Sequence, residues 1–175
     1  CFVVPCAIIL SGNIPVFLDI DSSYSVSLDL MEKLSDPEIS AIIYPYSYGN
    51  VGELEKIIAI ANRKNWILIE DTAPSLGAKY KNKYVGSFTD YSITSFGQGK
   101  ILDVNGGGAL SVNDRTLHNE IEKIISTLQP YSIRSRTLYE SFNRFFGESV
   151  TSIENDEDLS EFGKAISFAF KDGLV

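Results

Sequence analysis

A carboxylate, a hydroxyl and a primary amine punctuate the stretch WILIEDTAPSLGAKYKNKYVGSFTDYSITSFGQGKILDVNGGGAL, residues 66–110. Asp71 follows the apolar run WILI and the acid Glu70. Ser95 arrives near the end of the β-rich run at residues 91–96, and Lys100 lies just beyond it, near Gly97 and Gly99. This set of groups suits pyridoxal 5'-phosphate. An aspartate can hold a ring nitrogen protonated, a serine can bind phosphate, and a lysine can form a Schiff base with the aldehyde. Arginine could not replace the lysine, because it stays protonated. Glycines beside it add no bulk, so the loop can approach a ligand closely. Each group also has a plainer reading: Lys100 as a surface lysine, Asp71 as a strand-end loop cap, Ser95 as a satisfied polar group in a sheet.

Elements must deliver these groups to one place. Residues 66–69 have the composition of a buried strand. Upstream, residues 2–10 read as a strand end running into a short helix that stops at Ser11-Gly12-Asn13. Residues 14–20, IPVFLDI, read as a strand, residues 28–34 as a short amphipathic helix closed by Asp36-Pro37, and residues 41–46, AIIYPY, as a buried strand. Tyr48-Gly49-Asn50 is a turn. Residues 53–64 form a helix whose apolar face is Leu54, Ile57, Ile58 and Ala61. A hairpin is expected over residues 79–85, strands over 91–96 and 107–112, and then a helix capped by Asn113 or Asp114 with Leu117, Ile121, Ile124, Ile125 and Leu128 on one face.

Apolar strands alternating with amphipathic helices predict an α/β fold: a mainly parallel sheet with helices on both faces. In such sheets ligands gather at the carboxyl ends of the strands, where Asp71 falls. Residues 1–128 form the sheet-bearing part. Residues 129–175 form a helical C-terminal segment. In it Leu138, Phe142, Phe145 and Phe146 make one stripe, Asn155 to Asp158 an acidic cluster, and Leu159, Phe162, Ile166 and Phe170 a final helix. The aromatic stripes read as packing surface rather than as a binding box.

Composition narrows the function classes. With 44% hydrophobic and 22% charged residues, the 175-residue chain is globular in type and long enough for a sizeable core. A net charge of −8 argues against nucleic-acid binding, which needs a basic face, and more weakly against an anionic membrane surface. The opening CFVVPCAIIL is shorter than the roughly 18 apolar residues of a membrane span and is interrupted by Pro5. Cys1 and Cys6 make neither a zinc site nor a disulfide framework and read as reduced cytoplasmic thiols. His118 is the single histidine, so no multi-histidine metal site can form, and its place on the helix after Asn113 reads as solvent-exposed rather than as part of a catalytic triad. Gly106-Gly107-Gly108 lacks dinucleotide-loop spacing and opens a strand. The sequence opens without methionine inside an apolar segment, and we expect a piece of a longer protein.

The ordered set IPVFLDID, AIIYPYSYG, ILIEDTAPSLGA, SFGQGK and NGGGAL, within residues 2–128, resembles the DegT/StrS-type sugar aminotransferases, pyridoxal-phosphate enzymes of the aspartate-aminotransferase fold. The resemblance implies transfer of an amino group, usually from glutamate, to a keto sugar attached to a nucleotide, in polysaccharide, lipopolysaccharide or antibiotic biosynthesis. It implies a cytoplasmic homodimer with the pocket shared across the interface. On this likeness Lys100 is catalytic and binds the cofactor, Asp71 pairs with the pyridinium nitrogen, Ala73 packs on a ring face, Ser95 binds phosphate, and Phe2 stacks on the ring; plain core packing is the alternative for Phe2.

Departures accompany the likeness. The family's Gly-Ser/Thr-rich helix start, which binds the cofactor phosphate, is not found in this sequence. Pro74 stands where the family usually has a glutamine that touches the cofactor's phenolic oxygen, and Tyr46 where it often has histidine. No match to the later Asn- and Arg-containing motif follows Leu128. Two alternatives therefore stand beside the aminotransferase: a non-catalytic module keeping the fold for binding or assembly, and a sugar dehydratase, which typically has histidine at the lysine position, so that Lys100 counts against it.

Overall fold

The computed structural model describes residues 3–97, 99–104 and 106–128, with residues 137, 140 and 144. The chain divides into two compact units, Val16–Ser126 and a second made of Cys1–Pro15 with Thr127–Val175. In the second unit the expected short helix is α1, Val3–Leu10. The anticipated aromatic stripes through Leu138 and Leu159, the acidic cluster at Asn155, and Phe2 lie outside the described residues.

The Val16–Ser126 unit is built on a four-stranded mixed sheet. Its strands are β1 (Ala41–Pro45), β2 (Ile67–Asp71), β5 (Tyr91–Ser95) and β6 (Gly108–Val112), in the order β1-β2-β5-β6. The first three run parallel and β6 returns antiparallel to β5. Between β2 and β5 lies a small hairpin, β3 (Lys79–Tyr80) and β4 (Lys83–Tyr84). Its two-residue turn, Lys81-Asn82, has φ of 46° and 66°, the paired left-handed conformation that matches strand twist.

Helix α2 (Leu28–Lys33) starts where the Ser27 side chain accepts from Leu30 N–H. Helix α3 (Leu54–Arg63) buries Leu54, Ile57, Ile60 and Ala61, with Ile58 partly buried against the same core. Lys64 joins the two helices by donating to the carbonyls of Glu32 and Leu34 at 2.9 and 2.7 Å. Helix α4 (Arg115–Ile125) is capped by Asp114, which accepts from Thr116 N–H. Its apolar positions Ile124 and Ile125 are exposed.

The core lies on one face of the sheet. Tyr44 and Leu68 meet Leu54, Ile57, Ile60, Ala61, Met31 and Val85 there. Side chains alternate along a strand, so Ile67, Ile69, Tyr91 and Ile93 occupy the opposite face. Leu68 is 7% exposed and its neighbour Ile67 is 50% exposed.

One expected element is overturned. Residues 14–20 form no strand; only an isolated antiparallel bridge joins Ile20 to Val26. A strand needs a continuous partner for its backbone groups, and among the described residues this run has only that bridge and Ser27 N–H on the Asp19 carbonyl. Phe17 remains 76% exposed. Asp21 instead turns the chain, its Oδ1 accepting from Ser23 N–H at 2.8 Å and its N–H donating to the Ser25 carbonyl at 2.9 Å. Ser23 holds the Asp21 carboxyl below its usual range through its hydroxyl and N–H. Among the described residues no helix is long and apolar enough to cross a membrane.

Candidate active site

Strand β2 ends on two acids that leave opposite faces of the sheet. Glu70 shares the core face with Leu68 and is 0% exposed. Its Oε1 accepts from the N–H groups of Phe88 and Thr89, at 2.7 and 2.8 Å, and from the Thr89 hydroxyl at 3.1 Å. Its Oε2 accepts from the Tyr46 hydroxyl at 2.7 Å and from Gly86 N–H. A carboxylate accepts only, so a site made of donors suits it, and a buried carboxylate is tolerable because its lone pairs are used. Burial first, then the hydrogen bond and charge of Glu70, push the Tyr46 phenol well above its usual value, so Tyr46 remains a donor. Gly86 adopts φ +87°, and a Cβ there would lie 3.1 Å from both Ser92 Oγ and Thr72 Cγ2. Only glycine brings that N–H in without displacing its neighbours.

Asp71 leaves the other face and is 8% exposed. Its Oδ1 accepts from Ala73 N–H at 3.0 Å and its carbonyl from Tyr46 N–H at 3.2 Å. Among the described residues Oδ2 makes no hydrogen bond. Asp71 is in register with Ile93 of β5, and Ser95 lies two residues further along the same face. Strand geometry puts the Cα atoms of Asp71 and Ser95 roughly 8 Å apart. Thr72 fixes this register by donating its N–H and its hydroxyl to the Ile93 carbonyl, at 2.8 and 3.0 Å.

Ser95 is half-buried and pairs with Gly108 of β6. A Cβ at Gly108 would sit 2.7 Å from the Thr94 carbonyl oxygen, which explains a glycine inside that strand. Ser95 Oγ accepts from Gly97 N–H at 3.3 Å, leaving its own proton free to donate outward. The loop beyond closes on Phe96. The Phe96 carbonyl accepts from Val104 and Gly106 N–H at 3.1 and 3.2 Å, and its N–H donates to Gly107 at 2.9 Å. Within the loop Gly99, at φ +76°, donates its N–H to Asp103 Oδ2 at 3.0 Å. Lys100 is half-buried, its N–H donates to Gly97 at 3.2 Å, and among the described residues its Nζ has no hydrogen-bond or ion-pair partner.

The structure thus brings Asp71, Ser95 and the Lys100 loop to the carboxyl edge of β2 and β5. Ala73 is half-buried in the turn that follows Asp71, and the adjacent Pro74 offers no N–H. Phe2 lies outside the described residues. The donor set fits pyridoxal 5'-phosphate: a carboxylate oxygen open to a ring N–H, a hydroxyl proton open to a phosphate, and an uncommitted amine. Sequence reasoning missed Glu70 and the Tyr46 hydroxyl. The available signal was that two consecutive acids at a strand end cannot face the same side. A trough of about 490 Å³ lies at the opposite, amino-terminal edge of these strands, beside Trp66, Asp90 and Asn113, away from Asp71 and Ser95. His118, on α4, faces Glu122 at 3.9 Å on an exposed surface. Among the described residues no group of three or more His, Cys, Asp or Glu could hold a metal ion.

The DegT/DnrJ/EryC1/StrS aminotransferase family matches residues 4–151. GDP-perosamine synthase of Escherichia coli O157:H7 is 36% identical over 114 residues, 65% of this chain and 31% of that protein. UDP-2-acetamido-2-deoxy-3-oxo-D-glucuronate aminotransferase of Pseudomonas aeruginosa is 38% identical over 117 residues, 66% of this chain and 33% of that protein. Among solved structures, Helicobacter pylori PseC, an aminotransferase involved in the biosynthesis of pseudoaminic acid, matches with a TM-score of 0.64 at 30% identity, over 70% of this chain and 33% of that one. The matched stretch spans about a third of the length of these relatives.

Proposed function

This chain belongs to the DegT/DnrJ/EryC1/StrS aminotransferase family, and from that premise we propose that it is the central part of an enzyme that moves an amino group onto a nucleotide-linked keto sugar. Pyridoxal 5'-phosphate is the cofactor and glutamate the amino donor. The names of the relatives, a GDP-perosamine synthase and a UDP-linked sugar aminotransferase, support the substrate class. The product feeds polysaccharide or lipopolysaccharide synthesis in the cytoplasm, and the working enzyme is a homodimer.

The observation that carries this reading is the shared face and edge of Asp71 and Ser95, with an uncommitted Lys100 amine on the loop leaving that edge. When bound, the cofactor supplies an electron sink for a deprotonated substrate carbon. Asp71, with Oδ1 anchored on Ala73, would accept the ring N–H through Oδ2 and keep the proton there. Ser95 would hold the phosphate through a hydrogen bond from its hydroxyl. Ala73, half-buried in the turn after Asp71, would pack on a ring face. Lys100 Nζ would hold the cofactor at its aldehyde group, and the same amine is the residue that would move a proton at the reacting substrate carbon.

Adding pyridoxal 5'-phosphate to the purified chain should give an absorbance band near the visible edge that Lys100→Ala abolishes. Absence of the band in a chain with native circular dichroism would sink this reading and favour a non-catalytic module. A band that glutamate fails to convert to the amine form would support a chain that needs further residues to complete its pocket.

A further inference from the structure

The Asp71 carboxylate carries the chemistry proposed above, yet its side chain has a single hydrogen bond within the described residues, from Ala73. Its backbone is held differently. Tyr46 grips both acids of the pair: its hydroxyl donates to Glu70 Oε2 at 2.7 Å and its N–H donates to the Asp71 carbonyl at 3.2 Å. Tyr46 is itself fully buried and stands edge-on to Tyr44, with ring centroids 5.2 Å apart. Tyr44 is in turn fastened by Ser25 Oγ at 2.9 Å and the Val51 carbonyl at 3.1 Å. On the other side, the N–H groups of Phe88 and Thr89, on the approach to β5, converge on Glu70, while Thr72 donates twice to Ile93. The end of β2 is bolted to β1 through Tyr46 and to β5 through Glu70 and Thr72.

We propose that Tyr46 and Glu70 are positioning residues for Asp71, a buried clamp on the core face that fixes the carboxylate presented on the opposite face. The inference rests on the reading of Asp71 as the partner of the ring nitrogen. Both side chains are fully enclosed on the core face, opposite the Asp71 carboxylate. The clamp acts through the peptide link between Glu70 and Asp71 and through the Tyr46 N–H. The buried phenol, which holds its proton, keeps the Tyr46 bond a one-way donation to Glu70.

The test uses Tyr46→Phe, which removes one oxygen and keeps the ring, with Glu70→Gln and the double variant. The first readout needs no cofactor: amide hydrogen exchange at Ala73, whose N–H is bonded to Asp71 Oδ1, against exchange at Ile60 and Ala61 inside α3. The proposal expects Ala73 exchange to rise about tenfold, the equivalent of one weakened hydrogen bond, with α3 unchanged. It expects the dissociation constant for pyridoxal 5'-phosphate to rise by a similar factor, with the double variant no worse than the poorer single one. Unchanged exchange at Ala73, or exchange rising equally at Ala73 and in α3, overturns it. If the unaltered chain takes up no pyridoxal 5'-phosphate, the functional reading fails, and the exchange result still decides whether the clamp positions Asp71.

Discussion

The two faces of the sheet at the end of β2 treat adjacent acids in opposite ways. On the core face Glu70 is wholly enclosed and every donor near it points inward. On the other face Asp71 has one anchored oxygen and one left uncommitted among the described residues. A carboxylate with its lone pairs used serves the fold; one with an open lone pair can serve a ligand. The strand's alternation separates the two tasks within a single peptide unit.

Removing each acid in turn should break this contrast most visibly. Glu70→Ala strands a fully buried phenol and three partly buried backbone N–H groups, and should lower the unfolding free energy by about 3–5 kcal/mol in a urea titration. Asp71→Ala should cost about 1 kcal/mol in the same assay, while removing the spectroscopic signature of the bound cofactor. A comparable pair sits one step back along the strand. Leu68→Ala should cost about 2–4 kcal/mol and Ile67→Ala less than about 1 kcal/mol, because only the first empties a packed site. Gly86→Ala should cost about 1–3 kcal/mol, since the new methyl would press on Ser92 and Thr72 at a backbone angle alanine resists.

A further effect is a slope in pH. The Tyr46 phenol is raised above the usual 10.0 by burial and by Glu70, and that of Tyr44 is raised chiefly by burial. The folded chain therefore keeps protons that the unfolded chain gives up above that value. Stability is fully present below pH 10 and falls as the pH climbs beyond it, by up to about 1.4 kcal/mol per pH unit for each such phenol. Tyr46→Phe should flatten the decline, measured by urea titrations on either side of pH 10; an unchanged slope would place the proton release elsewhere.

Local pattern carried much of the fold. The apolar spacing of α3, the Lys81-Asn82 turn, the Asp114 cap and the β-rich runs of β2 and β5 are each decided by residues close in sequence, and each appears where the pattern puts it. Residues 14–20 failed because a strand is a property of two segments, and apolar alternation in one cannot supply the other. Ile60 joins Leu54, Ile57 and Ala61 on the buried face of α3, and Ile58 lies partly buried against the same core. In the site, Asp71, Ser95 and Lys100 could be singled out by residue type and placement. Strand alternation turns Glu70 away from Asp71, but its partners come from Tyr46 and from residues 86–89, and local pattern does not announce that these segments converge.

The knot at Phe96 has an evolutionary side. Since one carbonyl receives both Val104 and Gly106, the neck of the excursion is closed by backbone bonds that do not depend on which side chains it bears. Side chains beyond that neck could change while the pairing of β5 with β6 stayed as it is. The chemistry of such a protein can drift faster than its architecture.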